Sequence, residues 1–256
     1  MKISIKIIFF LLFSLFLIPL IGTAKGEKIP SYVGIREGQT IIWNMEFDDD
    51  PFRDYYEDLG LSEDKIDLAI DARFDGALDT DVEAWKVVIL EIRDEKEYGH
   101  GSNETDGVPY LYNLYITEDK AANDWDDEEK NKRGIIYDYN VDFYIWSTYL
   151  NLGFSRYSFV DKKVDWNEFA DELDEEYEDN NIEATAKDEK RLYFFTEVEC
   201  GISTSWEPQD NSEMEEFETI SRYNSDGILL YYEGSYGGDV FFKVELEGAY
   251  FYEDWW

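Results

Sequence analysis

Large apolar side chains recur at every second position in several segments of this chain, and this period of two predicts a fold built mainly from β-strands. Near the start of the chain they occupy four alternate positions: Ile41, Trp43, Met45 and Phe47. Near its end they do so again: Val240, Phe242, Val244 and Leu246. Gly237-Gly238, which lies just before the second segment, is a hairpin signal. An antiparallel sheet is therefore expected to account for much of the chain.

The remaining predicted strands follow from shorter runs of aromatic and β-branched residues. They cover 85–92, 110–117, 135–139, 141–160, 192–200, 217–223 and 228–232. The stretch 118–133 is dense in charge, which is typical of a surface loop or a frayed helix.

Three helices are predicted, because capping residues precede apolar positions at helical spacing. The first helix begins with Asp50 as its N-cap and Pro51 as its first residue, and the second helix follows Ser62. The third follows Asp165, whose spacing to Glu168 fits a capping box. The third helix has one apolar stripe: Phe169, Ala170, Leu173 and Tyr177. Its other positions are mostly acidic and predict a solvated outer face.

Residues 25–256 are predicted to form a single α+β domain, since no linker rich in Pro, Gly or Ser divides them. The expected architecture is a large, curved antiparallel β-sheet with two or three amphipathic helices packed on it. Such a sheet can curl into a half-barrel that encloses an apolar groove. Disorder is excluded despite the charge, because 44% of the residues are hydrophobic and 18% are aromatic.

The first 24 residues have the layout of a secretory signal peptide. Lys2 and Lys6 precede an apolar run over 7–21, and the small residues Gly22-Thr23-Ala24 follow it. The run is shorter than the ~20 residues of a spanning helix, which favours cleavage over retention as an anchor. The sequence therefore predicts an extracytoplasmic protein, secreted or held at the cell surface, without a membrane span after cleavage.

The charge of the chain limits the kinds of partner that it can bind. The chain carries 60 Asp and Glu against 23 Lys and Arg, which gives a formal net charge of -37. Nucleic acid and anionic lipid surfaces are themselves negative, so they are excluded as partners. Three explanations of the charge stay open: a solvated surface for solubility, adaptation to high salt, and divalent-cation binding. A cation or a basic protein is the partner that such a charge attracts.

Few catalytic arrangements are compatible with this composition. His100 is the only histidine, and it lies in a glycine-flanked loop that would hold a general base poorly. Two-histidine metal motifs, phosphate-binding loops and the serine-nucleophile motif do not occur in the sequence. A glycan hydrolase stays open, because it needs only two carboxylates beside exposed aromatic residues such as Trp125 or Trp206. No residue is assigned a catalytic role.

Three acidic clusters could supply oxygen ligands to calcium, the one cofactor that the sequence allows for. They are Asp48-Asp49-Asp50, 79–83 and 124–129. Alternate residues of an extended segment point to one side, so the preferred ligands are Asp79, Asp81 and Glu83.

Two single residues matter because the chain is predicted to be exported. Asn103 opens Asn103-Glu104-Thr105, which fits an N-glycan acceptor. Cys200 is the only cysteine, so an intramolecular disulfide is impossible. A lone exported cysteine can pair between chains or stay a thiol, and here the pattern favours a small buried hydrophobe on the face of 192–198.

Three segments resemble exported proteins encoded in archaeal genomes, especially genomes of the Asgard type, for which no activity is known. They are 32–43, 134–137 and 223–232. The first carries V-G-I-x-x-G before a Trp-bearing strand, and the last carries Y-N-x-D-G-I-L in a hairpin. The resemblance implies an extracytoplasmic β-rich domain, and it carries over no catalytic residue.

The leading hypothesis is an exported binding or interaction protein of the cell surface or envelope. Its more specific version places an apolar cargo in the groove of the curved sheet. Two alternatives stay open: an extracellular carboxylate-dependent glycan hydrolase, and a calcium-stabilised structural surface protein.

Overall fold

The computed structural model confirms an α+β fold: a ten-stranded antiparallel sheet that does not close, with four helices packed on it. It describes residues 29–73, 81–99, 104–149, 158–180, 182, 184–193, 196–206 and 214–248. The signal peptide, residues 1–24, lies outside the described residues.

The ten strands follow each other in the chain as β1 (Thr40–Phe47), β2 (Ala84–Ile92), β3 (Lys96–Tyr98), β4 (Thr105–Thr117), β5 (Asp126–Tyr137), β6 (Ala184–Tyr193), β7 (Thr196–Trp206), β8 (Phe217–Tyr223), β9 (Leu229–Tyr236) and β10 (Asp239–Leu246). The four helices are α1 (Asp50–Asp58), α2 (Glu63–Arg73), α3 (Val141–Tyr149) and α4 (Trp166–Asp179). Helices α1 and α2 lie between β1 and β2 in the chain, and α3 and α4 between β5 and β6.

Two meanders make up the sheet and meet where β1 pairs with β10. On one side of β1 come β2 and β4, with β3 and β5 both paired to β4. On the other side β10, β9, β8, β7 and β6 follow in turn, each antiparallel to its neighbour. Among the described residues β3, β5 and β6 each pair with one strand: β6 forms one edge of the sheet, and β5 and the short β3 flank β4 at the other.

One face of the sheet carries most of the apolar core. Residues directly opposite each other in neighbouring strands share a face, and Trp43 lies opposite both Trp85 and Leu246. Trp43 is 1% exposed, and its alternate neighbours Ile41 and Met45 are also buried. The predicted alternation of β1 is therefore confirmed over these three positions.

The helices cover this apolar face. Phe52 of α1 packs against Phe241 of β10, with ring centroids 5.3 Å apart. Trp166 of α4 stacks on Tyr223 of β8 at 5.1 Å. The described helices and the core residues they bury thus lie on one side of the sheet, and the other side displays the charged alternate residues of the strands.

The prediction of a loop or frayed helix over 118–133 is wrong for its second half, where the structure has strand β5. Residues 126–137 pair with β4, and only a short 3-10 turn, Lys120–Ala122, precedes them. The first eight residues of β5 are exposed or half-buried on both faces, so they show no apolar period of two. Charged side chains are typical of edge strands, because they discourage pairing with another chain.

The prediction of a single strand over 192–200 is also wrong, because the described residues of this stretch belong to two antiparallel strands, β6 and β7. Leu192 belongs to β6 and lies opposite Glu197, whereas Cys200 belongs to β7 and lies opposite Lys190. Cys200 is half-buried and packs against the core, as expected of a small hydrophobe, but it does not share a strand with Leu192.

Helix α3 replaces part of the strands predicted over 141–160. Asn140 caps it, since its Oδ1 accepts the Phe143 N–H at 3.1 Å and its backbone oxygen accepts the Tyr144 N–H. Phe143 and Tyr144 turn their rings into the core against Tyr137 and Phe169. The aromatic content favoured a strand, and the packing of these rings against α4 and the end of β5 outweighs that preference.

Candidate functional site

The preferred calcium ligands lie just before β2, and the structure describes two of them. Asp79 lies outside the described residues, whereas Asp81 and Glu83 are described. Glu83 Oε2 accepts the Lys120 N–H at 2.9 Å, and the Glu83 backbone bonds to Met45 and Thr117. Glu83 therefore holds the β4–β5 connection against the start of β2, which occupies one of its carboxylate oxygens.

Within the described residues, a different cluster brings three carboxylates within 4.8 Å of one another: Asp48, Asp49 and Asp50. Asp49 is the N-cap of α1, one residue before the predicted cap Asp50. Asp48 Oδ1 accepts the Asp50 N–H at 3.1 Å, and Asp49 pairs with Arg53 at 2.8 Å. These contacts explain the cluster as the acidic start of a helix.

The predicted glycan acceptor Asn103 and the single histidine His100 lie outside the described residues. Thr105, the third residue of the acceptor pattern, is described and is buried as the first residue of β4. Its hydroxyl donates to the backbone oxygen of Asp138 at 2.8 Å.

A polar pocket of about 380 Å³ opens at one end of the sheet. It is lined by the start of β1, the turn before β9 and the end of β10, with two carboxylates, Asp226 and Glu247. Glu247 pairs with Lys120 at 3.2 Å. The residues that line the pocket include no aromatic side chain, so it lacks the stacking surface that the hydrolase hypothesis requires.

The helix layer carries an excess of acid that the strands do not share. The four helices contain 17 Asp and Glu against three Lys and Arg, whereas the ten strands contain 16 against 10. On the sheet face away from the helices, opposite charges pair, as in Arg222 with Glu189 at 3.6 Å and Lys243 with Glu245 at 2.9 Å. Within these elements, the net negative charge is therefore concentrated in the helices.

Helix α4 is the most acidic of the four, with eight carboxylates and no cation in 14 residues. Asp165 caps it by accepting the Glu168 N–H at 3.2 Å, and the predicted stripe from Phe169 to Tyr177 is buried. Five acidic residues of the helix are exposed beyond the first turn: Asp171, Glu172, Glu175, Glu178 and Asp179. None of these five pairs with a Lys or Arg of the described chain. We call these five residues the α4 acidic surface.

A second acidic feature is buried and was not predicted. Asp161 follows the core residues Phe159 and Val160 and is only 1% exposed. Its Oδ2 accepts the Tyr139 N–H at 2.7 Å, and its Oδ1 accepts the Lys163 N–H at 2.6 Å. Asp138, at the end of β5, is an acidic neighbour of this carboxyl.

Burial, with a smaller contribution from the neighbouring acid Asp138, raises the pKa of Asp161 to about 6, although its two backbone N–H donors act to lower it. Other acids lie close by. Tyr32 is 3% exposed and donates its hydroxyl to Glu95 at 2.8 Å, and burial together with Glu95, Asp138 and Asp106 raises the pKa of Tyr32. The carboxyl pair therefore lies in a locally acidic part of the core.

Sequence reasoning could not have found this pair. Asp138 and Asp161 are separated by α3, and neither stands in a motif that distinguishes it among 60 acidic residues. The one local sign is that Asp161 directly follows the apolar residues Phe159-Val160.

The comparisons with known proteins add no relative: no protein family, no curated protein and no solved structure matches the chain. The archaeal resemblance therefore stays a prediction. Among the described residues, every helix falls short of the length and apolar character needed to cross a bilayer.

Proposed function

We propose that the chain is an exported, non-catalytic binding protein of the cell surface or envelope, and that it binds a basic partner through the α4 acidic surface. The observation that carries the proposal is the charge of α4: eight carboxylates, no cation, and no ion pair to the described rest of the chain. A surface of one sign raises the local concentration of oppositely charged partners and speeds their association.

Solubility alone accounts poorly for this arrangement. Solubility is served by charges of both signs, as the open face of the sheet displays. Like charges four residues apart destabilise a helix by roughly 0.2–0.5 kcal/mol per pair, and α4 contains such pairs, including Asp171 with Glu175 and Glu175 with Asp179. A bound basic partner would relieve this repulsion.

The other hypotheses have less support from the geometry. An apolar cargo on the apolar face of the sheet would have to displace helices whose residues, such as Phe52, are buried against that face. A hydrolase needs two carboxylates about 5 to 10 Å apart in a cleft. The described pocket contains two carboxylates, Asp226 and Glu247, but no aromatic side chain lines it for a sugar to stack on.

Removing charge from the α4 acidic surface is expected to weaken binding of a basic peptide by about tenfold or more at low salt, because close charge pairs carry much of such an association. The variant is Asp171→Asn, Glu172→Gln, Glu175→Gln and Glu178→Gln. The probe is a fluorescent Lys- and Arg-rich peptide, followed by anisotropy over a series of salt concentrations.

The matched control removes four exposed charges from α1 and α2 instead: Asp54→Asn, Glu57→Gln, Glu63→Gln and Asp64→Asn. Both variants have the same net charge, so a general attraction to the chain would weaken equally in both. Equal affinity of the two variants, or no binding by the native chain at low salt, would contradict the proposal. Melting temperatures of both variants verify that they are folded.

Export has its own test, which uses the full chain produced in a secreting host. The product outside the cytoplasm is expected to begin at Lys25, because the small residues before it suit a signal peptidase. Intact mass measures the loss of residues 1–24. The control variant Leu15→Arg places a charge inside the apolar run and is expected to stay in the cell. A full-length product in the cytoplasm of cells that make the native chain would refute export.

A further inference from the structure

We propose that the polar pocket at the end of the sheet binds the α-ammonium group and the adjacent carbonyl of an amino acid, either free or at the N-terminus of a peptide. The volume of the pocket, about 380 Å³, lies in the lower part of the roughly 300–1,000 Å³ range of small-molecule sites. The pocket shares no residue with the α4 acidic surface, so its ligand is independent of the partner proposed there.

The turn before β9 forms one wall of the pocket and is firmly held. Asn224 Oδ1 accepts two backbone N–H groups of the turn, from Asp226 at 2.9 Å and from Ile228 at 3.0 Å. The turn also packs closely on the start of the described chain, since a Cβ atom at Gly34 would lie 1.9 Å from the Asp226 backbone oxygen. A wall held in this way keeps its polar groups in place, so a ligand loses little free energy in ordering them.

Two amides of the pocket offer hydrogen-bond donors. The Asn224 oxygen is occupied by the turn, and Gln39 Oε1 accepts the Arg36 N–H at 3.0 Å. The NH2 groups are therefore the parts of these amides that a ligand can use, and each needs an acceptor such as a carbonyl oxygen. A ligand of this pocket is expected to carry such an acceptor.

The pocket contains two carboxylates, but only Asp226 remains for a ligand. Glu247 pairs with the Lys120 ammonium at 3.2 Å, which compensates its charge. In the described part of the chain, the Asp226 carboxylate is exposed and accepts no hydrogen bond. One uncompensated carboxylate attracts a single cationic donor and repels anions. It is a poor ligand set for calcium, which takes roughly six to eight oxygens.

The end of an amino acid matches both requirements in one small group. Its ammonium can donate to the Asp226 carboxylate in a charge-assisted bond, and its carbonyl oxygen can accept from the amide of Gln39 or Asn224. A simple amine would leave the amide donors unpaired, and a neutral amide would leave Asp226 without a cation. Ile42 and Leu246, both half-buried, also line the pocket and favour an apolar side chain on the ligand.

The test is an NMR titration of the full native chain at about pH 6, where an α-ammonium group is protonated. L-Leucinamide carries both groups, isoamylamine lacks the carbonyl, and N-acetyl-L-leucinamide lacks the ammonium. L-Leucinamide is expected to shift the side-chain NH2 signals of Gln39 and Asn224, and the other two should bind at least about tenfold more weakly. Equal binding of either, or no shift with millimolar L-leucinamide, would overturn the inference.

Two further ligands separate the sources of the group. L-Leucine represents a free amino acid, and leucyl-glycyl-glycine represents the N-terminus of a peptide. Tighter binding of L-leucine assigns the pocket to a free amino acid, and tighter binding of the tripeptide assigns it to a chain end. Both results support the shared chemistry, whereas binding of neither would count against it.

Two variants test the roles of single residues. Asp226→Asn should weaken L-leucinamide binding by about tenfold or more, whereas Asp64→Asn on α2, with the same change in net charge, should have little effect. Gln39→Glu keeps an oxygen for the Arg36 N–H but loses the NH2 donor, so it should lower the preference for L-leucinamide over isoamylamine. Equal affinities of Asp226→Asn and Asp64→Asn would refute the assignment of the pocket. The comparison of ligands on the native chain needs no variant, so a folding defect cannot protect the proposal.

Discussion

Replacement of Trp43 by alanine is expected to lower the free energy of unfolding by about 3–5 kcal/mol, the range for deleting a buried aromatic side chain. Trp43 is 1% exposed on β1, the strand at which the two meanders meet. Its indole N–H donates to the Leu229 oxygen at 2.8 Å, and its ring packs on Phe159. The substitution therefore leaves a cavity and an unsatisfied carbonyl where β1, β9 and the 158–163 segment meet.

The measurement is urea unfolding followed by circular dichroism, since the substitution removes a fluorophore. A domain of this kind has roughly 5–15 kcal/mol of stability, so the loss should shift the midpoint strongly. Leu68→Ala is the control, because Leu68 is 73% exposed on α2 and should change the midpoint little. Similar midpoints for the two variants would mean that β1 does not hold the two meanders together.

How far the sequence predicts the fold depends on where an element lies. Strand β1 has its apolar face against the helices, so its alternation is clean, and α4 has both a cap and a buried stripe. The sequence predicts these elements because burial on one side requires apolar residues at regular spacing. The first eight residues of the edge strand β5 are exposed or half-buried, so no regular spacing of apolar residues is required there.

The sites illustrate a second limit. The α4 acidic surface could be anticipated, because its carboxylates and its buried stripe belong to one helix and follow its period. The Asp138–Asp161 pair could not, because it exists only once the segment after α3 returns to the end of β5. Contacts between residues distant in sequence are set by tertiary packing, and a single sequence contains no record of them.

Substitution of Gly201 by alanine is expected to be the most damaging single-methyl change on the sheet, with a loss of roughly 3 kcal/mol, the upper part of the overpacking range. A Cβ atom at this position would lie 1.8 Å from the backbone oxygen of Ser221. The obstacle is the backbone of β8, so relief requires β7 and β8 to separate. Glu189 and Arg222, the residues opposite Gly201 on the flanking strands, form an ion pair across β7 at 3.6 Å.

Ser203→Ala is the matched control, since Ser203 lies two residues along the same strand and on the same face. It removes one hydroxyl from a half-exposed position and should change stability by less than about 0.5 kcal/mol. Urea unfolding of both variants measures the difference. If Gly201→Ala were as stable as Ser203→Ala, β7 and β8 would be farther apart at this point than the structure places them. A large loss of stability for Gly201→Ala alone would instead show that β7 and β8 approach each other so closely here that only glycine fits. The Glu189–Arg222 ion pair spans β7 at this same position.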